Sequence, residues 1–178
     1  MTAIRTSSRA RRRALSRYDY LHRTMHLIDI ENLTGAALPS LVDAARVRAV
    51  YHKQVGVGPD DHVVVACSHL AFKNAGYGWS DARHLVRSGP DGADCELLDV
   101  LYFENVAARF DHVVVGSGDG IFAAAVAYLA SRGCHVTVVS RQGHLSARLR
   151  LAAHEVIYLD PEMAGTEAMT GAEMGRVA

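Results

Sequence analysis

Three segments of this chain are apolar almost without a break: HVVVACS at 62–68, HVVVGS at 112–117 and HVTVVS at 135–140. A strand with one face in water alternates apolar and polar residues, and these do not. Strands of this kind are buried on both faces, which requires a mainly parallel sheet with helices packed on each side. The segments between them have helical spacing. In PSLVDAARVRAVYHKQ (39–54) the apolar residues fall at 41, 42, 45, 49 and 50, with Pro39 suited to a first turn. Helices are also expected at 94–109, from Asp119 to about Arg132 where Gly133 stops it, and at 144–153. Shorter strands are expected at MHLIDI (25–30), RHLVRS (83–88) and EVIYL (155–159). The fold class is therefore α/β, a three-layer sandwich over residues 25–159.

The flanks read differently. Residues 1–24 hold seven arginines and no apolar period, and are expected to be a basic flexible extension. Residues 160–178 are small, polar and acidic, and are expected to be a disordered tail. The chain's 19 basic and 19 acidic side chains cancel, so net charge selects no partner. No apolar run approaches the ~18 residues that span a bilayer, and no apolar stretch follows the basic N-terminus as in a secretory signal. Cys67, Cys95 and Cys134 are far apart and form no C-x-x-C pair, which argues against zinc. Three buried free thiols suit a reducing compartment, so a cytoplasmic location is expected.

In a parallel sheet, ligands bind beyond the carboxyl ends of the strands. Asp29 and Asn32 end the first strand, His69 follows the second, Asp94 opens the helix after the third, Ser117 and Asp119 follow the fourth, and Arg141 ends the fifth. Asp29 stands among apolar neighbours in HLIDI, where an ionised carboxylate is costly unless it is paired, holds a metal, or caps a turn. Asp119 lies in GSGDGIF, where flanking glycines would let it point into the rim; an N-cap is the alternative. Either Asp91 or Asp94 would cap the helix at 94. Carboxylates gathered at one rim raise one another's pKa, a cost that a divalent cation removes, and an oxygen-only set suits Mg²⁺ or Mn²⁺. Asp99 lies five residues after Asp94, about 140° around a helix, and Glu96 competes with it. His26, His62, His112 and His135 start strands and belong to the opposite rim. Tyr77 and Trp79, between Lys73 and Arg83, are either base-stacking surface or core.

GSGDGI is not G-x-G-x-x-G, and no Walker A lysine is present. LIDIE and SGDGIFA partly resemble the D-x-D and G-D-G-x-x-D motifs of haloacid-dehalogenase-like phosphatases, with Glu31 in place of the second acid and no final aspartate. Three segments, in order, resemble the NYN domain family, a branch of the PIN-like metal-dependent ribonucleases. They are LIDIENL with Asp29 and Asn32, GADCELLDVL with Asp94 and Asp99, and VVVGSGDGIFAAAVAYLASRGCHVTVV with Ser117, Gly118, Asp119, Phe122 and Gly133. The second acid of that family's S-G-D-x-D-F is Ile121 here. Its helix acids are usually six apart rather than five.

The resemblance implies RNA as the substrate, hydrolysed at a phosphodiester. It implies Asp29, Asp94 and Asp119 as ligands of Mg²⁺ or Mn²⁺, Asp99 as the residue orienting a water, and Asn32 and Ser117 holding the carboxylates in place. Lys73, Arg83 and Arg141 would contact phosphates. Ile121 keeps an alternative open, a non-catalytic RNA- or protein-binding module on the same fold. No motif reads as an oligomer seam.

Overall fold

The computed structural model describes residues 23–159. In chain order its elements are β1 (Thr24–Asp29), α1 (Ile30–Thr34), α2 (Leu41–Gln54), β2 (His62–Cys67), α3 (Phe72–Gly78) and β3 (Arg83–Val86). Then come α4 (Gly92–Phe103), α5 (Val106–Arg109), β4 (His112–Gly116), a 3-10 turn (Gly120–Phe122), α6 (Ala123–Ser131), β5 (His135–Arg141), α7 (Ala147–Ala152) and β6 (Glu155–Leu159). All six strands are parallel, in the order β3-β2-β1-β4-β5-β6.

Alternate residues of each strand point to opposite faces, and both faces here are apolar. Leu27, Val64, Val113, Val115, Val136 and Val138 face α4 to α7, where Leu97, Leu101, Val126 and Leu129 meet them. Ile28, Val65, Val114 and Val139 face α1 to α3, where Leu33, Val47, Val50, Tyr51 and Trp79 meet them. Each buried Val, Leu or Ile contributes roughly 1.5–3 kcal/mol, so a strand buried on both sides gathers this from successive residues. That is the physical reason the strands lack alternation.

Several details depart from the sequence expectation. Asp29 ends its strand and caps a short helix, α1, that the pattern did not announce. Ser40 caps α2 through a capping box with Asp43, and Pro39 stands outside the helix. The helix expected over 94–109 is two helices, broken where Asn105 turns left-handed at φ 52°. Asp91 takes the N-cap position of α4 with φ 52° and makes no side-chain cap, while Asp94 lies buried in the first turn. Cys95 is half-buried, unlike Cys67 and Cys134. Trp79 is core and Tyr77 is 70% exposed. The expectations for the flanks lie outside the described residues, apart from Arg23, which sits over the Phe110 ring, and Thr24, which belongs to β1. Among the described residues no helix is long and apolar enough to cross a membrane.

The amino end of the sheet is tied together by Asp61. Its carboxylate accepts from Thr24 N–H (2.9 Å) and Gly58 N–H (2.7 Å) and meets His26 Nε2 at 3.3 Å. Burial would raise its pKa, but these hydrogen bonds outweigh burial and hold it at about 2. A carboxyl depressed below its ordinary value stabilises the fold above pH 4, and the gain is lost as pH falls towards 2. Asp61→Asn is therefore expected to cost about 2 kcal/mol at pH 7 and almost nothing at pH 2, measured by urea unfolding at both. Equal losses at the two pH values would remove the charge from the explanation.

Candidate active site

The strand order reverses beside β1, which has β2 on one side and β4 on the other. At such a point the connecting segments diverge and leave a crevice at the carboxyl edge. The last residue of β1 is Asp29, and the segment leaving β4 is Ser117–Gly118–Asp119. Topology thus delivers the two segments to one place.

Asp29 is 6% exposed. One of its oxygens, Oδ1, accepts from the Asn32 N–H at 3.1 Å, the cap of α1; Oδ2 receives the Ser117 hydroxyl at 3.4 Å. Asn32 turns its side chain the other way and accepts the Gly118 N–H at 3.0 Å. Ser117 Oγ also accepts the Asp119 N–H at 3.2 Å. A closed set of hydrogen bonds therefore joins the end of β1 to the loop after β4. Asp119 caps the 3-10 turn by accepting the Ile121 N–H on Oδ1 at 2.9 Å. Both aspartates act as caps with one oxygen; the second oxygen of Asp29 receives Ser117, and that of Asp119 has no hydrogen-bond partner among the described residues. Glu31, one residue from the Asp29 cap, accepts the Ser68 N–H at 2.8 Å and adds negative charge to the crevice.

Asp94 comes to this crevice from the first turn of α4. It lies within hydrogen-bonding reach of Asp29, and Asp119 is close enough to act on it by charge. Burial raises the pKa of Asp94 to about 7, with the charges of Asp29 and Asp119 adding to it. Asp29 is raised to about 6, by burial and then by Glu31, against the lowering effect of the Asn32 N–H. Asp29 and Asp94 are close enough that each acts on the other's acidity, and both are raised. Asp94 Oδ1 is buried and has no hydrogen-bond partner. A buried carboxylate oxygen without a donor is costly, and a cation is one group that satisfies it. Among the described residues no three His, Cys, Asp or Glu side chains stand arranged to grip an ion by themselves. Mg²⁺ does not need three, because it keeps several waters and is commonly held by one or two carboxylates plus phosphate oxygens. The Asp29–Asp94 pair fits that requirement.

Comparison with known proteins gives the family. The family model described as "NYN domain" matches residues 23–160. The chain belongs to the NYN domain family. NYN domains are ribonuclease-like, and their general business is RNA; the match takes in both motifs that partly resembled a phosphatase. The "Low amplitude and bright protein LabA" of Synechococcus elongatus is 34% identical over 68 residues. That alignment covers 38% of this chain and 37% of LabA, so the chain matches well under half of that relative's length. The crystal structure of a protein of unknown function from Vibrio parahaemolyticus superposes with a TM-score of 0.54 at 17% identity, covering 80% of this chain and 95% of that one. It supports the α/β fold alone.

Other candidate residues lie elsewhere in the NYN domain. Asp99 is exposed and faces Arg87 at 3.8 Å, alongside Glu96 at 3.7 Å. No contact of Asp99 with Asp29, Asp94 or Asp119 occurs among the described residues. Arg83 begins β3, at the opposite rim, and pairs with Glu104 at 2.8 Å. Lys73 is exposed on α3, which follows the carboxyl end of β2. Arg141 is at the site rim, and its Nε donates to the Asn32 carbonyl at 2.8 Å. His69 is exposed and meets Ser88 Oγ at 3.0 Å. Ile121 is 39% exposed, an apolar side chain where the family's motif has an acid.

The glycines around Asp119 have a different purpose from the one the sequence suggested. A Cβ on Gly118 would sit 2.1 Å from the His144 carbonyl oxygen and 2.5 Å from Ser140 Oγ; one on Gly120 would sit 2.7 Å from Ser146 Oγ. Neither glycine has a positive φ. They make room for the loop after β5, which closes onto this segment through Ser146 N–H to Gly118 C=O at 2.8 Å.

Proposed function

We propose that the protein is a metal-dependent endoribonuclease that hydrolyses RNA phosphodiester bonds at the crevice between β1 and β4. The observation that carries this reading is the buried Asp29–Asp94 pair, whose Asp94 Oδ1 has no donor among the described residues and whose acidity is weakened chiefly by burial. Asp29 and Asp94 would hold Mg²⁺ or Mn²⁺, with Asp119 reaching the ion directly or through water. Bound there, the ion supplies a water of lowered pKa and offsets charge on the phosphate.

The chain's own residues do the rest. Asp29 and Asp94 would both be ionised when the site is loaded, since a cation offsets the burial that raises them. Ser117 fixes Asp29 Oδ2, and Asn32 holds Gly118, so the segment carrying Asp119 cannot drift from β1. The oxygen of Asp119 not engaged by Ile121 N–H would accept a proton from the attacking water as its oxygen bonds to phosphorus, while the bond to the leaving ribose oxygen breaks and that oxygen takes a proton from solvent. On this reading the protein would work on RNA in the cytoplasm, a compartment that suits its three free thiols.

Labelled RNA incubated with Mn²⁺, Mg²⁺ or EDTA tests this. Cleavage is expected with either metal and not with EDTA. Asp29→Asn and Asp119→Asn are each expected to lower it by at least ~100-fold with an unchanged circular dichroism spectrum, and Ser117→Ala by ~10–100-fold. Ile121 favours a second reading, an RNA-binding module without turnover. RNA bound but left intact under every metal condition would establish that module instead. Turnover of p-nitrophenyl phosphate without RNA cleavage would point back to phosphatase chemistry.

A further inference from the structure

Beside the acid pair, on the α2 side of the same rim, a second cleft is lined by Leu33, Thr34, Arg46, Val47, Arg141 and Leu159, with Asp43 and Val50 at its margin. Its cavity volume is about 80 Å³, room for a phosphate group rather than for a whole nucleotide. Its floor is apolar and its rim carries two guanidinium groups.

Arg141 is fixed in place. Its Nε donates to the Asn32 carbonyl at 2.8 Å. Its guanidinium lies where a side chain on residue 35 would be, since a Cβ on Gly35 would meet Nη1 at 2.4 Å. Gly35 also ends α1 at φ 74°, so it serves the backbone and the arginine at once. No carboxylate pairs with Arg141 among the described residues. The one carboxylate lining the cleft, Asp43, accepts the Ser40 hydroxyl (2.6 Å) and N–H (3.2 Å) on Oδ2 and forms an ion pair with Arg46 through Oδ1 at 3.8 Å. Arg141, an immobilised guanidinium with no carboxylate partner among the described residues, in a cleft that a second arginine also lines, makes a preorganised phosphate site. Asn32 links it to the chemistry: its N–H caps Asp29, its side chain holds Gly118, and its carbonyl holds Arg141.

We propose that this cleft is a phosphate subsite, in which Arg141 and Arg46 hold a phosphate of the RNA strand that flanks the bond to be cut. The proposal rests on the ribonuclease reading and adds where the strand runs, from the acid pair across Asn32 towards the ends of β5 and β6.

The test is binding of a fluorescein-labelled single-stranded oligoribonucleotide to the full chain in EDTA, followed by anisotropy over a range of salt. Arg46→Ala is expected to weaken binding about 5- to 10-fold and to flatten the dependence of log K on log salt by ~0.7. Arg48→Ala removes the same charge from the same helix, but its side chain pairs with Asp81 at 2.6 Å outside the cleft; it is expected to change affinity less than about 2-fold. Arg141→Lys keeps the charge and loses the Asn32 bond, so affinity falls while the salt slope stays. A loss with Arg46→Ala no greater than with Arg48→Ala overturns the subsite, even if cleavage depends on Asp29 as predicted. Cleavage surviving Asp29→Asn, with binding still lost in Arg46→Ala, removes the nuclease reading and leaves the subsite. A wild-type protein that binds no RNA overturns both.

Discussion

Replacing Asp94 by asparagine will make the metal-free protein more stable at pH 8 while removing RNA cleavage. Asp29 and Asp94 both hold their protons above the ordinary carboxyl range, to about 6 and about 7, because they are buried, with Glu31 adding to the rise of Asp29 and the charges of Asp29 and Asp119 to that of Asp94. An unfolded carboxyl loses its proton near pH 4. The folded state therefore binds protons more tightly, and the stability this contributes is complete below pH 4 and lost as pH rises through 6 and 7. At pH 8 the empty site carries two buried charges facing each other. Asp94→Asn removes one and provides an amide that can donate to Asp29. The expected gain is about 2 kcal/mol, a rise in melting temperature of roughly 5 °C in EDTA, and it should vanish at pH 5.

Thermal melts of both proteins between pH 5 and 8 check this. His112, held down to about 4 by burial and by His135 and His26, changes the acid side of both curves alike and drops out of the comparison. Added Mn²⁺ should stabilise the wild type at pH 8 and the variant far less. Parallel pH curves for the two proteins would show that the pair carries no repulsion. A gain in stability together with a loss of activity is the signature of a site built under strain.

Gly118→Ala is the second large effect, and it is a steric one. The new Cβ would lie 2.1 Å from the His144 carbonyl oxygen, which belongs to backbone and cannot swing aside. Nor can residue 118 retreat easily, because its N–H is bound to Asn32 and its C=O to Ser146 N–H. The expected cost is about 3 kcal/mol, near the upper end of overpacking penalties. Whatever shift relieves the clash moves Asp119, so cleavage per folded molecule should fall as well. Gly76→Ala is the contrast: the position is helical, and its Cβ would find only Phe72 Cε2, at 3.9 Å. That change should stabilise by about 0.5–1 kcal/mol. Urea denaturation separates the two. Similar midpoints for both variants would mean that the loop after β5 yields at no cost.

How much of this was legible beforehand depends on the range of the interaction involved. β6 runs from Glu155 to Leu159 as its apolar run suggested, and β2 and β4 each end one residue short of theirs. Strand burial on both faces writes itself into consecutive residues. The break at Asn105 was invisible, because the apolar spacing continues across it while the backbone does not. Asp29 and Asp119 stood out because a lone carboxylate at the end of an apolar strand has few uses. Their capping bonds are local and were readable as alternatives. The pairing of Asp94 with Asp29 was an inference from shared rim position, and its closeness depends on β1 lying between β2 and β4. Arg83 seemed a phosphate contact by its neighbours in sequence, yet a residue that opens a strand lies a strand's length from one that follows it. Arg46 carried no signal at all, since an arginine on a helix surface is ordinary until Arg141 lines the same cleft.

The sequence by itself determined the α/β class, the location of the strands and the acids at their ends, because these follow from burial and from spacing within a few residues. Strand order, the closeness of Asp29 and Asp94, the space that Gly118 leaves for His144 and the lining of one cleft by both Arg46 and Arg141 were decided by tertiary structure alone. Each joins segments dozens of residues apart, and no local preference of the chain encodes which distant groups will share one edge of a sheet.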